Sequence, residues 1–186
     1  MTLHHLVREP KIKLDKNPLL LLLHGYGSNE EDSFSFASEL PEEYYVISAR
    51  APYDMGFGSY AWYAINFDAD ENKFSDIPQA QQSRDLIANF IDQLVVNYPI
   101  EATNITLIGF SQGAILSYGM AFTFPEKINK VVALSGYLNE QILPENYDVN
   151  QINLVEIAKG FDFLFFSIGL VSLSFLIFSN AKKIYS

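Results

Sequence analysis

Apolar residues along this chain gather in short runs, and longer stretches of helical period lie between them. Leu3 to Arg8 fits an edge strand. Leu19 to Leu23 is apolar at every position and runs on to His24, the pattern of a strand buried on both faces. Between Asn29 and Leu40, Glu30, Glu31 and Asp32 come first and Phe34, Phe36, Ala37 and Leu40 follow. This predicts a short helix with acids against its N-terminal dipole, ended by Pro41. Tyr44 to Ala49 is the next strand. Gln79 to Tyr98 places Leu86, Ile87, Phe90, Ile91, Leu94 and Val95 on one helical face, a stripe that predicts core. Asn104 to Phe110 predicts a strand, Gln112 to Phe124 a helix, Lys130 to Ser135 a strand, and Asp162 to Ser167 a last one. Pro52 to Pro78 is left as a long loop rich in aromatics, Gly and Asp, and loops of that length are usually functional. Strands alternating with helices predict an α/β fold with a mostly parallel sheet flanked by helices.

Composition changes this picture only in what it excludes. A chain of 186 residues suits one domain with a sizeable core. Apolar residues at 49% and charged residues at 18% describe a globular chain. A formal net charge of -10 argues against nucleic acid and against an anionic membrane surface as partners. The absence of cysteine excludes disulfides and thiolate metal sites, and fits a cytoplasmic protein. Met1 to Lys16 has no basic segment followed by an apolar stretch, so no signal peptide is read there.

The chemistry is concentrated at Gly109-Phe110-Ser111-Gln112-Gly113, a G-x-S-x-G motif. Chance supplies roughly 0.06 such matches in a chain of this length at average Gly and Ser usage. The setting sharpens the motif: Ile105 to Ile108 reads as strand and Ala114 to Met120 as helix. Strand, sharp turn and helix make a nucleophile elbow, which aims a serine hydroxyl out above the sheet. The strained turn leaves no room for side chains at Gly109 and Gly113. The backbone N–H of Gln112, at the helix start, can then donate to a developing oxyanion. A second donor is expected from the loop after the Leu19 to His24 strand, where His24-Gly25-Tyr26-Gly27 makes the N–H of Tyr26 the candidate.

Leu22 to Asp32, Ile47 to Tyr53, Ala61-Trp62-Tyr63 and Gly109 to Gly113, taken together from about Leu19 to about Asn139, resemble the bacterial phospholipase/carboxylesterase family, relatives of acyl-protein thioesterases. The resemblance implies an α/β-hydrolase fold and cofactor-free serine hydrolysis of a small-molecule carboxylic ester or thioester. It puts Ser111 at the nucleophile, Tyr26 and Gln112 at the oxyanion donors, and Trp62 and Tyr63 in the acyl-site wall.

The chain departs from the family where the triad should be completed. Its acid is expected after a later strand, but against the nearest segment, Ser167 to Leu176, Ser172 takes that place, and Asp162 is read as lying before the strand. No histidine follows Ser111; the three are His4, His5 and His24. His24 belongs to the oxyanion loop, which puts it out of line for a general base. The domain is thus read as residues 1–160, incomplete and missing the last strand and helix, followed by an apolar segment at 161–186. Three readings of that segment stand: a truncated or frame-shifted end, a membrane anchor through residues 161–180 with Lys182 and Lys183 on the cytoplasmic side, or buried core. A missing strand would leave a sheet edge open to self-association. The functional alternatives are a serine hydrolase, a catalytically inert remnant or ligand-binding module, and a membrane-tethered form. Glu30-Glu31-Asp32 and Asp68-Asp70-Glu71 lack the spacing and glycine of a calcium loop, so solvated charge and no metal are expected.

Overall fold

A computed structural model describes residues 2–67, 73–148 and 153–157. The strands are β1 (His5–Arg8), β2 (Asn17–Leu23), β3 (Tyr45–Ala49), β4 (Tyr53–Gly56), β5 (Ser59–Ala61), β6 (Ile65–Phe67), β7 (Lys73–Ser75), β8 (Ile100–Phe110), β9 (Lys130–Leu134) and β10 (Asn153–Ile157). The helices are α1 (Glu30–Phe34), α2 (Ile77–Asn97) and α3 (Gln112–Thr123). Six strands form one sheet in the order β1-β3-β2-β8-β9-β10. All its pairings are parallel except β1 with β3.

Every residue of β2 is buried, because both faces of the sheet are covered. Leu19, Leu21 and Leu23 join Ile105, Leu107, Val131 and Ala133 in the core under α2 and α3. Leu20 and Leu22 join Ile108, Val132 and Leu134 in a second core with Phe36, Ala37 and Leu40. After β2 the chain turns to β3 on one side, then returns as β8 on the other. The register pairs Leu23 with Gly109 and so sets the loop after β2 beside the elbow. Clefts of open parallel sheets form at such a reversal, beyond the carboxyl ends of the strands.

Several elements differ from the sequence reading. The Asn29–Leu40 helix is one short helix, capped by Asn29 Oδ1 at 2.9 and 3.0 Å, followed by a 3-10 turn at Ala37–Glu39. The Pro52–Pro78 loop holds two hairpins, β4–β5 and β6–β7. The long helix starts at Ile77, because the Asp76 carboxylate caps it by accepting from the Gln79 N–H at 3.0 Å. Its apolar stripe is core, as expected. After β9 the next described strand is Asn153–Ile157. Residues 161–180, with the strand expected at Asp162–Ser167, lie outside the described residues. Among the described residues, no helix is long and apolar enough to cross a membrane.

Candidate active site

Ser111 stands alone between the end of β8 and the start of α3, at φ 49° and ψ -109°. That left-handed geometry is strained for any residue with a Cβ. It is held from both sides: the Ser111 N–H donates to Leu134 O at 2.8 Å, and its carbonyl accepts from the Ile115 N–H at 3.0 Å. A Cβ on Gly109 would stand 2.4 Å from Gly113 O. A Cβ on Gly113 would stand 2.1 Å from Leu23 O. The first glycine lets the turn close on itself; the second lets α3 sit directly against β2. The sequence carried the turn's requirement but not the second contact, which comes from another strand.

Ser111 is half-buried and lines a cavity of about 280 Å³. The cavity is lined by Gly25, Tyr26, Gly27 and Ser28, by the apolar Leu22, Leu23, Phe36, Ile108, Phe110 and Leu134, and by Asp32 and Ser33. Among the described residues the Ser111 hydroxyl has no hydrogen-bond partner, and neither do the backbone N–H groups of Tyr26 and Gln112. Gln112 opens α3, where first-turn N–H groups have no partner within the helix. Ser111 and Tyr26 thus line one opening, and Gln112 follows Ser111 directly in the chain. Trp62 and Tyr63, predicted as acyl-site wall, do not line the cavity. They are 0% and 1% exposed and belong to the core under α2 and α3.

The structure assigns these aromatics a different setting. The Trp62 N–H donates to Gln112 Oε1 at 2.8 Å, and Gln112 Nε2 donates to Tyr63 O at 2.8 Å. The indole N–H of Trp62 donates to His24 O at 2.9 Å. Burial pushes the Tyr63 phenol well above its ordinary pKa. The Gln112 side chain, itself buried, thus fastens the elbow to the segment after β5. Sequence reasoning valued Gln112 only for its amide; a buried carboxamide directly after the serine was the signal for this second use.

His24 is fully buried and committed. Its Nε2 accepts from the Ala51 N–H at 3.0 Å, so the proton is on Nδ1, which donates to Gly25 O at 2.8 Å. Burial holds its pKa below the usual histidine value. His4 and His5 lie at β1, at the edge of the sheet; His5 Nδ1 bonds Leu3 O at 2.8 Å, and His4 Nε2 lies 3.5 Å from Glu30 Oε1.

Glu30, expected to be solvated, is 1% exposed. Arg50 Nε donates to its Oε2 at 2.8 Å, and a second, shorter bond joins Arg50 Nη2 to Oε1. Burial by itself would raise the Glu30 pKa, but the Arg50 hydrogen bonds and charge hold it below the usual carboxylate value. Asp68, Asp70 and Glu71 lie outside the described residues.

The family profile described as Phospholipase/Carboxylesterase matches residues 5–159, well beyond the Leu19 to Asn139 span of the motifs. No curated protein matches the sequence. Among solved structures, the Bacillus cereus carboxylesterase superposes with a TM-score of 0.73 at 17% identity, over 92% of each chain. Esterase PE8 gives 0.71 at 17% identity, over 95% of this chain and 98% of that one. Acyl-protein thioesterase 2 of Zea mays gives 0.55 at 24% identity, over 73% of this chain and 62% of that one. At such identities the likeness is one of fold. The parallel sheet, its reversal beside β2 and the profile match agree: this chain belongs to the phospholipase/carboxylesterase family and has its α/β-hydrolase fold.

Proposed function

We propose that the chain cleaves a small carboxylic ester or thioester through an acyl intermediate on Ser111. Oγ attacks the carbonyl carbon, the alcohol or thiol leaves, and water releases the acid. The amides of Tyr26 and Gln112 hold the negative charge on the carbonyl oxygen. One observation carries the reading: a strained serine, whose hydroxyl has no partner among the described residues, lines a cavity together with Tyr26 and directly precedes Gln112. Leu22, Leu23, Phe36, Ile108, Phe110 and Leu134 make much of that cavity's lining apolar, which suits the hydrocarbon part of an ester.

The bonding of His24 favours a second reading, an inert hydrolase scaffold that binds esters without turning them over. Oγ must give its proton to a base as it attacks, and the one histidine near the elbow already uses both ring nitrogens. Without a base, the oxyanion amides and binding alone leave roughly 10³–10⁴-fold rate enhancement over water in well-studied proteases. A fluorophosphonate distinguishes the two. Phosphonylation found by intact mass, located at residue 111 and lost in Ser111→Ala, supports the hydrolase. A wild-type chain as unreactive as Ser111→Ala leaves the binding module.

A further inference from the structure

Two amides that are to share one oxygen must keep a fixed separation. Here they come from loops far apart in the chain. We propose that the buried carboxamide of Gln112 and the segment from Tyr60 to Tyr63 form a strut that sets this separation, braced at its outer end by the Arg50–Glu30 pair. The inference rests on the reading of Ser111, Tyr26 and Gln112 given above. It makes the Gln112 side chain, Arg50 and Glu30 positioning residues, acting through backbone amides they do not themselves supply.

At its inner end the strut is tied to the elbow. The carboxamide is fixed in orientation, because its oxygen accepts from the Trp62 N–H and its nitrogen donates to Tyr63 O, both at 2.8 Å. The same short segment holds the other loop. The Gly27 N–H donates to Tyr60 O and the Tyr60 N–H to Ser28 O, each at 2.9 Å. Asn29 Nδ2 adds a bond to Gly58 O at 3.0 Å. Tyr26, directly before Gly27, is thereby held against the hairpin that Gln112 grips from the other side. The indole bond from Trp62 to His24 O fixes the start of that loop.

The brace closes the far side. Arg50 grips Glu30, the first residue of α1 and so the end of the loop that begins at Gly25. Its guanidinium also lies 4.6 Å from the centre of the Tyr60 ring, a cation–π contact. The Arg50 backbone is itself pinned, its N–H donating to His4 O at 2.8 Å. One side chain therefore holds both the end of the oxyanion loop and the segment that loop is bonded to.

The test needs a readout of the amides themselves. Gln112→Met keeps the backbone N–H and nearly the side-chain length but removes both carboxamide bonds. Arg50→Lys keeps the charge but loses the two-pronged grip. Two quantities are measured: the rate of Ser111 phosphonylation, and the ¹⁵N–¹H shifts of Tyr26 and Gln112 when butylboronic acid forms a tetrahedral anion on Oγ. In Gln112→Met we expect labelling about 10- to 100-fold slower, short of the 10²–10³ for loss of a whole donor. At least one of the two amide shifts should shrink in a protein with native circular dichroism. Arg50→Lys should slow labelling about threefold or more, a smaller effect than losing a whole donor. A merely structural role would lower the melting temperature and leave the shifts of the folded protein unchanged. Folded variants that label at the wild-type rate with wild-type shifts overturn the strut and leave Ser111 standing; should Gln112→Met not fold, Arg50→Lys decides by the same criteria. A wild-type chain that neither labels nor binds the boronate removes the reading of Ser111, and the strut with it.

Discussion

Replacing His24 by phenylalanine separates a structural histidine from a catalytic one. The ring is retained in outline, and so is its tilted contact with Trp62 at 5.5 Å. Two hydrogen bonds vanish, and the Ala51 N–H and Gly25 carbonyl are left without their partners. A buried group stripped of its partner costs about 1–3 kcal/mol. Gly25 lines the cavity and can turn its carbonyl toward water, so the Ala51 N–H dominates, and the sum is about 2–3 kcal/mol. For a chain of this size that is roughly 5–10 °C in melting temperature. The pH dependence gives a second handle. The folded pKa of His24 lies below its ordinary 6.5, so the folded state takes up its proton less readily than the unfolded chain. Its contribution is therefore complete above pH 6.5 and is lost as pH falls toward the lower folded value, with a slope of at most about 1.4 kcal/mol per pH unit. Urea unfolding at pH 8, 6.5 and 5, as approximate settings around that pKa, measures both effects. His24→Phe should be less stable at pH 8 and should lose that component of the slope, while its folded fraction still labels at Ser111. Unchanged stability with labelling abolished would refute the assignment and make His24 the base.

Three further outcomes follow from the same geometry. Ser111→Gly removes a side chain from a left-handed position, so urea unfolding should show a gain of about 1 kcal/mol, the strain released less the extra chain entropy of glycine; a loss of stability would mean the backbone is not strained. Glu30→Gln should cost about 2–4 kcal/mol at neutral pH, because it breaks a buried pair and leaves the Arg50 charge behind. The Glu30 pKa is lowered, so its contribution is whole above pH 4.5 and disappears as acid protonates the folded carboxylate; the mutant's stability should be flatter below pH 4.5 than the wild type's. Imidazole added to the buffer should speed Ser111 phosphonylation in proportion to its concentration, because the cavity opens beside a hydroxyl that has no base among the described residues; a rate indifferent to imidazole argues that a base is already in place.

What the sequence made legible was what sterics alone dictates. The elbow was readable because a turn that tight admits only glycine at 109, and the five leucines of β2 because a strand buried on both faces has no polar side. The rest depends on partners from elsewhere in the fold. Glu30 resembles any acid in a first helical turn until β3 brings Arg50 to it. Trp62 and Tyr63 resemble a pocket wall until the Gln112 side chain and Ser83, which donates to Trp62 O, draw the segment into the core. The Asn153–Ile157 strand was missed because Glu156 interrupts its apolar run; among the described strands it lies at the edge of the sheet, where full burial is not required.

Several exceptions to ordinary folding rules gather at one end of the sheet. A serine in a left-handed conformation, a helix pressed against a strand at a glycine, a buried carboxamide and a buried histidine all lie at the carboxyl ends of β2 and β8. A turn whose only task was to connect strand to helix would be more stable with glycine at 111 and would need no carboxamide beneath it. Buried polar groups at one spot are tolerated when each is satisfied, and these are: Gln112 bonds Trp62 and Tyr63, and His24 bonds Gly25 and Ala51. Three groups there have no partner among the described residues, the Ser111 hydroxyl and the N–H groups of Tyr26 and Gln112, and these are the groups that, on the proposed reading, an ester carbonyl would engage. Rigid support around the proposed nucleophile and donor pair is the arrangement in which binding energy would go to a charged transition state rather than to reorganising the protein.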